Sequence, residues 1–251
     1  MRGDFLHREA AALVKDRLSE VNKAFLDGAV IGPRADLWAE LLEMPLKPVA
    51  DDDVLALEQG AHDLTIHALA LHWANDPVGQ LVQMRRALKP DGLALAVLFG
   101  GQTLHELRTA FAEAETEIEG GLSPRVAPMG EIRDLGALVQ RAGLALPVAD
   151  SVEIPVSYET PLHLMRDLRA MSETNVMLSR RRTPLRRATL LRACEIYAEN
   201  FSVDGRIEAT FELIFLTGWA PHDSQQKPLR PGSAQTRLAD FLGTKEVNPE
   251  D

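Results

Sequence analysis

Between Asp63 and Gly101 the apolar positions change rhythm twice. Leu64, Ile66 and Ala68 through Leu71 form a short, nearly continuous apolar run, the pattern of a strand covered on both faces. Val78, Leu81, Met84 and Leu88 then recur at helical spacing, with Arg85 among them, so a helix turns a Val/Leu/Met stripe inward. Pro90-Asp91-Gly92 stops that helix and turns the chain, and Leu93 to Phe99 reads as a second buried strand. Strand, helix, parallel strand is a right-handed crossover, and sheets built this way place ligands beyond the carboxyl ends of their strands. Those ends are His72-Trp73-Ala74-Asn75-Asp76 and Gly100-Gly101, where chemistry is sought first.

The alternation continues on both sides. Residues 4–25 predict an amphipathic helix with Leu6, Leu13, Val14, Leu18, Val21 and Phe25 on one side. Residues 28–33 predict a very short strand running into a turn, 34–43 a helix and 45–49 a brief strand. Leu104, Leu107, Phe111, Ala114 and Ile118 mark a helix ended by Gly120-Gly121, with Glu113, Glu115, Glu117 and Glu119 on its other face. A helix around Ile132–Val139 ends at Gly143, and the chain is extended over 144–148 and 152–158. Helices follow at 161–171 and 184–201, a helical insertion spanning about 159–201, and residues 210–218 are a last strand. The pattern predicts one α/β three-layer sandwich over residues 1–220. From 221 to 251 the chain turns polar and proline-rich, an extended arm lacking its own core.

Composition narrows the classes. Lys+Arg 27 against Asp+Glu 37 gives a net charge of -10, which disfavours a general role on nucleic acid or an anionic membrane. Cys194 is the single cysteine, so no internal disulfide forms and a reducing compartment is the natural home. The longest apolar runs fall far short of a bilayer span and no signal sequence opens the chain, so the expectation is a soluble, cytoplasmic protein without a transmembrane segment.

The block LHWANDPVGQLVQMRRALKPDGLALAVLFGGQTLHELR (71–108) resembles the second half of class I S-adenosylmethionine methyltransferases. It is most similar to the branch containing the mitochondrial respiratory complex I assembly factor with arginine hydroxylase activity and its bacterial relatives. EGGLSPRVAP (119–128), DLGALVQRAG (134–143), LMRDLRAMSETN (164–175), ATFELIFLTGW (209–219) and FLHREAAALVKDRL (5–18) fit the same branch in order. The resemblance implies a Rossmann-like fold, S-adenosylmethionine as the ancestral cofactor, and a complex I subunit as partner. It places Gly32, Asp53, Leu71 and Gly100 on the cofactor side.

The front half departs from the superfamily pattern. A glycine-rich turn after the first strand normally lets backbone and inward-pointing amides approach the cofactor. Here that turn reads Ala29-Val30-Ile31-Gly32-Pro33-Arg34, with one glycine and a proline that has no N–H. The thirty residues between Gly32 and the 63–101 block are too few for two further crossover units, so one βα unit is missing. Residues 49–64 resemble the third-strand region; on the other alignment Asp51 to Asp53 supply the ribose acid and the third strand is lost. Either way the cofactor half is cut down, which argues against tight binding of S-adenosylmethionine.

His72, Trp73, Asn75 and Asp76 are the candidate catalytic group, since a polar loop with an indole can orient a substrate by hydrogen bonds and stacking. Their structural alternative is core packing for Trp73 and a helix cap for Asn75-Asp76. Gly101, His105, Arg108, Tyr158, Glu173 and Asn175 are candidates for holding substrate, with Glu173-Thr174-Asn175 overhanging the site. His62, His67 and His72 are spaced by five, which on a strand sends successive rings to opposite faces, so no metal site is expected. The run Arg180-Arg181-Arg182 with Arg186-Arg187 is a solvated helix entry or a dock for an acidic surface. Three functions compete: arginine hydroxylation or subunit holding in complex I maturation, methyl transfer to a small or carrier-bound substrate, and non-catalytic binding.

Overall fold

The computed structural model describes residues 3–226. Residues up to Pro221 form one compact unit, and the polar arm expected at 221–251 lies almost wholly outside the described residues. The chain runs α1 (Phe5–Glu20), β1 (Gly28–Ile31), α2 (Ala35–Leu42), β2 (Leu46–Val49), β3 (His62–Ala68), α3 (Pro77–Ala87) and β4 (Leu88–Phe99). There follow α4 (His105–Glu119), α5 (Ile132–Arg141), β5 (Ala145–Tyr158), α6 (Pro161–Ala170), α7 (Arg187–Asn200), β6 (Ser202–Val203) and β7 (Arg206–Trp219).

The strands form one sheet in the order β2-β1-β3-β4-β7-β5, with β6 beside β7. β1 to β4 are parallel and β7 runs antiparallel between β4 and β5. Strand order reverses between β1 and β3, the switch point at which such sheets open a crevice. A single strand lies outside β1, so the missing βα unit is visible as a missing outermost strand. β2 is followed by coil at 50–61, whose Leu55 packs with Val49 and Leu81 under the sheet.

Each face of the sheet has its own apolar layer. α1, α2, α4, α6 and α7 bury Leu6, Trp38, Phe111, Leu164 and Tyr197 against Ile66, Val97 and Phe211. α3 and α5 bury Met84 and Val139 against Ala96 and Leu216 on the other face. The first helix ends at Glu20, short of the expected 25, the helix expected from 184 starts at Arg187, and two further elements differ in kind. Pro90-Asp91-Gly92 is a bulge inside β4 rather than a turn before it: register with β3 jumps from His62–Leu88 to Leu64–Leu93, and Asp91 sits at φ 63°. Backbone bonds from Asp91 N to Ala220 O and from Ala220 N to Gly92 O stitch this bulge to the end of β7. The last strand is also longer than expected, because Asp204 (φ 51°) and Gly205 (φ 75°) close a two-residue hairpin from β6 into β7.

Candidate active site

At the carboxyl end of β3, Leu69 turns into a positive φ of 51° while its N–H bonds to Val97 O of β4 (3.0 Å). The chain then tightens into a single 3-10 turn, Leu71–Trp73, which sets two aromatic rings over the sheet edge. The His72 ring lies 4.9 Å from Phe99 and 4.8 Å from Trp73 between centroids, and its Nε2 is 3.4 Å from Glu173 Oε2. Trp73, Phe99, Leu104, Leu107, Leu168 and Phe211 wall a cavity of about 80 Å³. Its polar lining comes from Thr103, Arg125, Glu173, Thr174 and Asn175.

The cavity walls are fixed by one buried carboxylate. Glu115 of α4, fully buried, accepts from Ser123 N (2.7 Å), Ser123 Oγ (2.6 Å) and Arg125 Nε (2.7 Å). Burial works to raise its pKa, but the bonds from Ser123 and Arg125 outweigh it and hold the carboxyl below the usual range. Asn175 then ties the second wall to the first, donating Nδ2 to Pro124 O (2.5 Å) and Arg125 O (3.1 Å). Arg125 Nη2 is buried in the wall without a hydrogen-bond partner.

The two glycines at the end of β4 make room for carboxylates of this chain. A Cβ on Gly100 would collide with the Glu212 carboxylate, and one on Gly101 with that of Glu131. Arg108 Nη2 donates to Gly101 O (3.2 Å) and Thr103 O (3.0 Å), holding the turn that supports the cavity. His105 is half exposed, its Nδ1 3.2 Å from Gln102 O and its ring against Phe201. Tyr158 belongs to a different pocket, with His163, Arg166 and Arg206, and burial followed by Asp167 raises its pKa.

The end of β1 is arranged otherwise. Gly32 holds φ 148°, bonds through its N–H to Val49 O (3.1 Å), and a Cβ there would sit 2.7 Å from Ala68 O. Its missing side chain thus serves the approach of two strands. Beside it Arg34 pairs with Asp4 (2.8 Å), and the buried Trp38 Nε1 donates to His7 Nδ1 (2.9 Å). Burial, helped by Arg34, pushes the His7 pKa down to about 4, and burial does the same to His67 on β3. With Pro33 lacking an N–H, this turn does not fit the superfamily's usual amide cradle for S-adenosylmethionine.

The candidate residues therefore separate. Trp73, Glu173 and Asn175 meet at the cavity, with His72 behind Glu173. Asn75 instead faces the β1 side, 3.3 Å from Asp53 Oδ1, on a loop whose Asp52 and Asp53 carbonyls are held by Gln80 and Gln83. Asp76 caps α3 by accepting from Gly79 N (2.8 Å). Leu71 is buried in the layer under α3. Sequence reasoning missed Phe99, Phe211 and Arg125. The first two read as ordinary strand residues, and Arg125 stood inside a matching block without a charge partner that spacing could reveal.

Comparison with known proteins extends this geometry. No family model matches the chain. It is 35% identical over 264 residues to "Arginine-hydroxylase NDUFAF5, mitochondrial" of Danio rerio, covering 95% of this chain and 82% of the relative. The chain belongs to the NDUFAF5 arginine-hydroxylase family. The Homo sapiens member is 35% identical over 272 residues, covering 98% of this chain and 79% of that protein. A malonyl-[acyl-carrier protein] O-methyltransferase of Laribacter hongkongensis is 32% identical over 200 residues, covering 80% and 65%. Among solved structures, the YcgJ protein of Bacillus subtilis superposes with a TM-score of 0.54 at 13% identity, covering 86% of this chain and all of that one. The fold is the Rossmann-like sandwich of the class I methyltransferases, as the family resemblance implied. Members of the NDUFAF5 family are named as mitochondrial, which overturns the cytoplasmic placement expected from the sequence. Among the described residues, no helix is long and apolar enough to cross a membrane.

Proposed function

We propose that this chain acts in respiratory complex I maturation, receiving an arginine of a complex I subunit in the cavity at the ends of β4 and β7. The observation that carries this reading is the position of Glu173. Glu173 lines a largely apolar slot, next to an indole and two phenyl rings, in which the other charged lining residue, Arg125, is already paired with Glu115. That composition suits a guanidinium: the carboxylate takes the fork, and the aliphatic stem lies along the rings. His72 touches Glu173 from behind and positions it. The part played by these residues is to bind, orient and shield the target side chain.

The test is genetic and chemical together. Deleting the chain lowers NADH:quinone oxidoreductase activity and leaves the target arginine of the subunit without its added oxygen by intact-mass measurement. Glu173→Gln, with an unchanged unfolding midpoint, reproduces the deletion. Normal complex I in both amount and mass would end the reading.

A second reading, methyl transfer from S-adenosylmethionine to a carboxylate, is favoured by the O-methyltransferase relatives at 32% identity. The turn at Gly32 stands against it, because its geometry is spent on strand packing and its neighbour has no amide to offer. Calorimetric titration decides: we expect no stoichiometric heat with S-adenosylmethionine at submillimolar concentration, and a stoichiometric endpoint would reinstate methyl transfer.

A further inference from the structure

The loops that wall the cavity also make its outer rim. On the loop after α6, Val176 and Leu178 are 59% and 87% exposed, while Leu122 of the other loop lies along α4 with Thr109 and Thr116. Asn175 ties these two loops together. The second loop continues into an arginine run whose members divide sharply. Arg181 is consumed by Glu119, and Arg180 turns back onto Val176 O and Met177 O. Arg182, Arg186 and Arg187 are exposed; Arg186 acts on Glu119, whereas no ion pair joins Arg182 or Arg187 among the described residues. Arg182 and Arg187 are thus bare cations on a protein whose net charge is -10. Inside the wall, Arg125 spends Nε on Glu115 and leaves Nη2 buried without an acceptor. A buried donor in that state is unfavourable, and an acceptor arriving with a ligand relieves it.

Exposed apolar side chains around a pocket mouth, rimmed by unpaired charge of one sign, mark a protein-binding face. We infer that this rim docks a polypeptide carrying acidic residues beside the arginine that enters the cavity, an inference resting on the arginine reading of Glu173. Arg125 Nη2 meets a carboxylate or carbonyl next to the target arginine. Arg182 and Arg187 meet acidic residues further out, while Val176 and Leu178 cover apolar side chains between them. The cluster gives an acidic protein a local field that draws in an acidic segment.

Fluorescence anisotropy on the full chain tests this with three labelled peptides that share a central arginine and differ only in having acidic, amide or lysine flanks. The acidic-flank peptide is expected to bind at least tenfold tighter than the amide one, with the gap shrinking as salt rises. Arg182→Glu combined with Arg187→Glu, both on exposed side chains, is expected to remove or invert the preference at an unchanged unfolding midpoint. Equal binding of acidic and amide flanks overturns the docking face, as does a preference that survives the charge reversal. Replacing the central arginine by alanine separates the two readings. If that peptide loses affinity while flank preference is absent, only the docking face fails. If it binds as well as its parent while flank preference persists, the arginine reading of the cavity fails, and with it the inference as stated here.

Discussion

The two halves of the sheet were shaped in opposite directions. β1 and β2 have 4 residues each, whereas β4, β5 and β7 have 12, 14 and 14. In the short half the strand ends are packed on the chain's own groups: a glycine set against a neighbouring carbonyl, with a Trp–His hydrogen bond and an Arg–Asp pair beside it. In the long half, glycines, a buried carboxylate and two tied loops keep a lined cavity open. One fold can thus pack one set of strand ends tightly and leave another open around a cavity, because each set hangs from different strands.

That contrast breaks most visibly under acid. His7 and His67 are held near pKa 4 in the folded chain against 6.5 when exposed, so between those values the unfolded chain takes up protons the native one refuses. Unfolding free energy should fall as pH drops through 6.5, by roughly 3 kcal/mol per histidine once pH reaches about 4. Urea midpoints measured over that range check it, and a slope unchanged in the His7→Asn, His67→Asn double variant would discard the assignment. Next, Trp38→Ala should cost about 4 kcal/mol, the scale for emptying a buried indole site. A loss under 1 kcal/mol would mean the β1 side is loosely packed after all. On the other half, Glu115→Ala leaves Arg125 buried without its carboxylate and should cost about 3 kcal/mol. Proteolysis should then cut first within 119–126; uniform cutting would deny that this carboxylate organises the wall. The smallest effect is Gly32→Ala, about 2 kcal/mol from a positive φ and a crowded Cβ. A neutral outcome there would free Gly32 for a ligand role and weaken the contrast itself.

Much of the frame was legible from periodicity. The β3-α3-β4 crossover announces itself because a buried strand and a one-sided helix have distinct apolar spacings. The shortage of residues between Gly32 and Asp63 is likewise arithmetic, and the sheet shows it as one absent strand. The hairpin at Asp204-Gly205 carried the usual two-residue signal and could have been read. The cavity was legible only in part. Trp73 and Glu173 are far apart in sequence yet meet because the 3-10 turn and the loop after α6 overhang the same strand ends. Asn75 and Asp76 adjoin Trp73 in sequence but swing away, since Asp76 must cap α3. Phe211 needed the antiparallel register of β7 against β4 before it could be placed. The compartment was misread because a lone cysteine distinguishes reducing from oxidising surroundings and says nothing among reducing ones.

The two strands that bound the sheet have a bearing on how the protein behaves in a crowd. β2 carries Pro48, and β5 carries Pro147 and Pro155 with Asp150 and Glu153 between them. Each proline withholds a donor that a neighbouring molecule would need to lengthen the ladder, and the acids repel a second copy of themselves. Both margins are blunted against fibril-like growth, so replacing Pro155 by valine should make the protein more prone to self-association on storage without touching its interior.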